Sequence, residues 1–98
     1  YADRFGLPFK VSATGYGQTS AEVGQVRASG DLLASYLRAV HAQTTGFLDT
    51  LAEADLDRIV DERWDPPVSL GVRLVSVVND DTQHVGQAAY VRGLLASA

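Results

Sequence analysis

"SLGVRLVSVVNDDTQHVGQAAYVRGLL", Ser69 to Leu95, contains no proline and carries its apolar residues at helical spacing. Leu70, Leu74, Val77, Ala88, Val91 and Leu95 form the stripe, and Asp81 and His84 occupy the two positions that would complete its alternation of three and four. A stripe of this kind is the seam of a helix packed lengthwise against neighbours. Ser69 stands where an N-cap belongs, with a hydroxyl able to accept from an orphan amide of the first turn. The spacing therefore predicts one long helix over 69–97. Its oddity is that Asp80, Asp81, His84 and Gln87 interrupt an otherwise apolar face.

Toward the N-terminus, "TSAE" at Thr19 to Glu22 has the form of a capping box. From there Val23, Val26, Gly30, Leu33, Leu37, Val40, Thr44, Phe47 and Leu51 alternate three and four apart, which predicts a second long helix over 19–51. Gly30 weakens such a helix by about 1 kcal/mol relative to alanine, so a bend or a close helix contact is expected there. Residues 52–68 read as an acidic connector with one short turn near Ala54 to Asp57, closed by Pro66-Pro67. Trp64, with Leu56 and Ile59, is expected to cap the end of the helical layer. Residues 1–18 read as an irregular arm tacked down by Phe5, Leu7, Phe9 and Tyr16, the alternative being a loose terminus.

The chain has 98 residues, 46% of them hydrophobic, which suits one domain with one core. The expected class is all-α: two long antiparallel helices forming half of an up-down four-helix bundle. Two helices cover each other's stripes on one side only. Because the sequence opens at Tyr1 rather than methionine, a partial bundle is expected, completed by further sequence or by a second copy in a homodimer. A net charge of −4 with only eight basic residues argues against nucleic acid as a partner. No apolar run is long enough to span a bilayer, so no membrane partner is expected and the cytoplasm is the default location. With no cysteine, the chain supplies neither a disulfide nor a thiolate of its own.

On a helix, Asp80 and His84 are one turn apart and about 40° around the axis, so both reach toward one point from one face. The D-x-x-x-H spacing offers two metal ligands, as the histidines of a helical H-x-x-x-H do. Carboxylate oxygen with imidazole nitrogen suits a divalent ion such as zinc, nickel, iron or manganese, zinc and nickel foremost, and needs a third ligand from elsewhere. Gln87 continues this face and Arg73 lies on it two turns upstream, while Asp81 falls on the other side of His84. The plainer alternative is a polar layer in which Asp80 or Asp81 hydrogen-bonds His84. His41 sits on the flank of its seam as a boundary residue, and Arg92 reads as a surface or interhelical ion-pair partner with some capacity for an anion. No G-x-S-x-G elbow, phosphate loop or dinucleotide fingerprint is present.

"DPPVSLGVRLVSVVNDDTQHVGQAAYVRGLL", Asp65 to Leu95, resembles the last helix of the DinB-like four-helix-bundle proteins, in the branch of the mycothiol-dependent S-transferases. The preceding "SGDLLASYLRAVHAQTTGFLDTLAEADLDRIVDERW" is similar to that branch's third helix and connector, and the most specific run is H-x-G-Q-x-x-Y-x-R-G from His84 to Gly93. The resemblance implies a divalent metal held by one histidine on an early helix and an H-x-x-x-H pair on the last. His84 matches the second position of that pair, and Asp80 matches the first with a carboxylate in place of histidine. Nothing in this chain matches the early histidine. The resemblance further implies a low-molecular-weight thiol as cofactor, its metal-bound thiolate attacking an electrophilic substrate, with Gln87, Arg73 and Arg92 positioning cofactor or substrate. The rival from another class is a non-enzymatic helical module that forms a homo- or hetero-oligomer, its polar cluster fixing helix register, or an inactive fragment in which that cluster is structural.

Overall fold

Helices begin where the capping residues stand. In the computed structural model, which describes residues 1–98, Thr19 caps α2 (Ser20–Gln25), Ser29 caps α3 (Gly30–Leu48) and Ser69 caps α4 (Leu70–Ala96). A one-turn α1 (Ala2–Phe5) precedes them, and between α3 and α4 lie a 3-10 turn (Glu53–Asp57) and two short strands, β1 (Ile59–Asp61) and β2 (Val68–Ser69). The fold is all-α, with this small ribbon as an embellishment. The chain divides into two units, Tyr1–Asp49 and Thr50–Ala98.

In the first unit the capping box is complete: the Thr19 N–H donates to Glu22 Oε2 at 2.7 Å, and the Glu22 N–H donates to Thr19 Oγ1 at 3.3 Å. The Thr19 N–H bond, with a second from the Thr19 hydroxyl to Glu22 Oε2 at 2.9 Å, holds the Glu22 carboxyl below its ordinary pKa. The single helix expected over 19–51 is instead two, because Val26 turns extended (φ −74°, ψ 102°) and Ser29 starts a new helix, its Oγ accepting from the Leu32 N–H at 3.1 Å. The bend expected at Gly30 is thus a full break that falls just before it. Apolar spacing ran unbroken through this point, whereas Ser29 with Asp31 in the first turn is a local start signal that outweighs it. Arm residues 1–18 are partly ordered by the aromatic rings: Tyr1 packs tilted against Tyr36 at 5.1 Å and Phe5 meets it edge-on at 5.4 Å, and the Tyr1 hydroxyl shares a 2.6 Å hydrogen bond with Ser35. Leu7 and Phe9 are half-buried, while Tyr16 is exposed and tacks nothing down.

In the second unit the connector is more ordered than its composition suggested. Asp55 accepts the Ala52 N–H at 2.8 Å and closes the 3-10 turn, after which β1 and β2 pair antiparallel with Ile59 opposite Ser69 and Asp61 opposite Val68. The Leu70 N–H donates to the Arg58 carbonyl at 2.8 Å, so the ladder runs directly into α4. Ser69 ends β2 and caps α4 at once, its Oγ accepting from the Val72 N–H at 3.2 Å. Gly71 lets the 3-10 turn lie against the helix: a Cβ there would sit 3.3 Å from the Leu56 carbonyl oxygen. Leu70, 6% exposed, is the buried apolar residue at this junction. Trp64, expected to cap the layer, is 64% exposed in the loop between the strands. Beyond Leu74 the stripe of α4 has no cover within its own unit, and Val77, Val91 and Leu95 are exposed.

Candidate metal and cofactor site

The C-terminal unit holds two polar clusters on or beside α4. The first is centred on Asp61, which is 8% exposed. Its Oδ1 accepts from the Arg63 N–H and Nε–H at 3.0 Å each, and its Oδ2 accepts from Arg63 Nη2 at 2.9 Å and Arg73 Nη2 at 2.8 Å. The Arg63 side chain and backbone bonds, with the Arg73 bond added, hold the Asp61 carboxyl far below the ordinary carboxylate range. The same pairing raises the Arg63 guanidinium. All the acceptor capacity of the carboxylate is used, and the bond to Arg73 ties the first turn of α4 to β1.

The second cluster lies in the middle of α4. His84 Nε2 is 3.6 Å from Asp80 Oδ1, and His84 Nδ1 is 2.9 Å from Gln87 Oε1. Helical side chains lean back toward the N-terminus, so Gln87 lies over His84 and His84 over Asp80. Both side chains of the Asp80–His84 pair are about two-thirds exposed, at 69% and 67%. At 3.6 Å the Asp80 contact is too long for a hydrogen bond, whereas the Gln87 contact is a good one. Two donors on one tetrahedral zinc, at about 2.0–2.2 Å each, stand about 3.4 Å apart. The separation of Asp80 Oδ1 and His84 Nε2 is within a small side-chain adjustment of that bite, and an anionic oxygen beside an imidazole nitrogen is a donor set zinc and nickel accept. The two residues fit as part of a metal site. The chain brings no third His, Cys, Asp or Glu to them.

Of the residues the sequence singled out, the structure brings together Asp80, His84 and Gln87. Asp81 forms no bond to His84, whose ring nitrogens face Asp80 and Gln87. Arg73 is on the same face of α4, about 10 Å along the axis from Asp80, and turns its Nη2 to Asp61. Arg92, exposed on α4, is not joined to the trio by any ion pair. His41 is exposed on α3, in the other unit. Asp61 carried no sequence signal of its importance, being one of several acidic residues in an acidic connector; only its bonds set it apart. The use of Gln87 by His84 had an available signal in the i, i+3 spacing.

Residues 2–97 match the sequence model of a family described as mycothiol-S-transferase. A conserved protein of Enterococcus faecalis, known from a crystal structure, is 36% identical with a TM-score of 0.88; the alignment covers 99% of this chain and 58% of that one. The chain thus spans somewhat more than half the length of that relative. No curated protein matches it.

Proposed function

The chain belongs to the mycothiol-S-transferase family, and from that premise we propose that it serves a metal-dependent transfer of a low-molecular-weight thiol, of the mycothiol type, to an electrophilic substrate, with Asp80 and His84 as two of the metal ligands. The observation that supports the reading most is the 3.6 Å separation of a carboxylate oxygen and an imidazole nitrogen on one exposed helix face. A divalent ion there would lower the pKa of a thiol bound to it and make the thiolate available at neutral pH. These 98 residues hold no cysteine, and in this reading the sulfur nucleophile is the thiol of the cofactor. Asp80 would contribute a negative charge offsetting part of the ion's, and His84 would contribute a ring-nitrogen lone pair. Arg92, free of ion pairs, is available to an anionic group of cofactor or substrate; Arg73 keeps part of its guanidinium accessible while its Nη2 holds Asp61.

Elemental analysis of protein purified without chelator or affinity-column metal tests the assignment, on the parent chain and on Asp80→Ala and His84→Ala. Near-stoichiometric zinc or nickel, lost in both variants, is the expected result. Metal-free parent protein, or metal retained by the variants, overturns it. A second reading, a non-enzymatic helical module that assembles as a homodimer, is favoured by the exposed apolar residues Leu37, Val40 and Phe47 on α3 and Val91, Leu94 and Leu95 on α4. A monomeric native mass at high protein concentration removes that reading. No helix is long and apolar enough to cross a membrane.

A further inference from the structure

We infer that Gln87 is a positioning residue that fixes the tautomer and orientation of His84, leaving the Nε2 lone pair turned toward Asp80. The inference rests on the reading of Asp80 and His84 as ligands, and it reassigns Gln87 from cofactor contact to support of the ligand itself. A neutral imidazole carries its proton on one ring nitrogen, and the partner of the other nitrogen decides which. In free histidine the proton favours Nε2, the form that cannot coordinate through that atom. Here Gln87 Oε1 stands 2.9 Å from Nδ1 as an acceptor, which calls for the proton on Nδ1. The other ring nitrogen faces Asp80 Oδ1 at 3.6 Å, too far for an N–H to be satisfied there.

The backward lean of helical side chains builds this arrangement from spacing alone. Gln87 reaches one turn back to His84, and His84 reaches one turn back to Asp80, so one helix supplies both donors and the group that aims one of them. Metal-bound histidines ordinarily donate their second ring N–H to a fixed acceptor, and losing that acceptor costs about 10–100-fold in metal affinity.

The test reads the tautomer directly. Nitrogen-15 NMR of the metal-free chain at about pH 9, where a free imidazole is neutral, distinguishes a protonated Nδ1 from a protonated Nε2. A His41→Gln background leaves His84 as the one histidine to observe. The expected result is Nδ1–H in the parent, a shift toward Nε2–H in Gln87→Ala, and Nδ1–H kept in Gln87→Glu, whose carboxylate only accepts. Zinc titration, with zinc alone as the probe, should show affinity falling about 10–100-fold in Gln87→Ala and recovering in Gln87→Glu. An Nε2–H parent, or the same tautomer in parent and Gln87→Ala, overturns the inference. If zinc binding is instead indifferent to Asp80→Ala and His84→Ala, the ligand assignment fails, and the tautomer result still decides what Gln87 does.

Discussion

Two carboxylates of the C-terminal unit lie within reach of cationic or ionisable side chains, and their surroundings separate them. Asp61 is buried, and four short hydrogen bonds from two arginines consume its oxygens. Asp80 is exposed, and its ionisable neighbour is a ring nitrogen 3.6 Å away. A carboxylate whose acceptor sites are all filled by its own chain is committed to holding elements together. One that keeps free lone pairs beside another donor atom is where an ion can enter. The difference gives the first turn of α4 a structural role and leaves its middle as the stretch where we propose an ion binds, although both belong to one helix.

The largest expected effect is on the packed end. Leu70→Ala should cost about 2–5 kcal/mol in denaturant unfolding, because it deletes the buried apolar side chain at the junction of ribbon and helix. Leu95→Ala, on the exposed stretch, should stay within about 0.5 kcal/mol. A comparable loss at Leu95 that grows with protein concentration would break the contrast and point to self-association. Next comes Asp61→Asn, which should destabilise the unit at neutral pH. The sign follows from the depressed pKa: the charged form is favoured in the folded state, so its stabilisation is present above the ordinary aspartate pKa of about 4 and is lost as pH falls below it. Parent and variant melting temperatures should therefore differ at pH 7 and converge in acid. An unchanged gap through that window would remove the ion pairs as the cause. Ser69→Ala should cost about 1 kcal/mol, the worth of one helix cap.

How much of this was legible in the chain depends on the range of the force involved. Local signals were readable: the capping box at Thr19, the cap at Ser69 and the turn near Asp55 all form as their side chains dictate. The Asp80–His84 approach was readable too, because helix geometry alone fixes an i, i+4 pair. The break before Gly30 was obscured, since the apolar spacing runs on from Val23 and Val26 to Leu33 while the backbone turns extended at Val26. The pairing of β1 with β2 could not be read from strand pattern: the strands are too short for alternation to register, and two prolines stand between them. Arg63, two residues on, supplies three of the four bonds to Asp61, but the bond that joins Asp61 to α4 comes from Arg73, twelve residues away, and no spacing rule connects those two.

The smallest expected effect on the metal-free chain is also the one that bears most on the comparison. Asp80→Ala removes an exposed group with no short bond to any neighbour, so it should change unfolding free energy by less than about 0.5 kcal/mol. Added zinc should then separate variant from parent. A ligand that binds only the folded form stabilises it by about 2.7 kcal/mol at a free concentration one hundred times its dissociation constant. The parent should gain melting temperature as zinc is raised, while Asp80→Ala gains little over the same range and Asp61→Asn, though weaker at the outset, gains as much as the parent. Loss of the zinc response in Asp61→Asn under conditions where it remains folded would mean that the two clusters are not independent. In that case the packed end of α4 would have to be counted as part of the site rather than as its foundation.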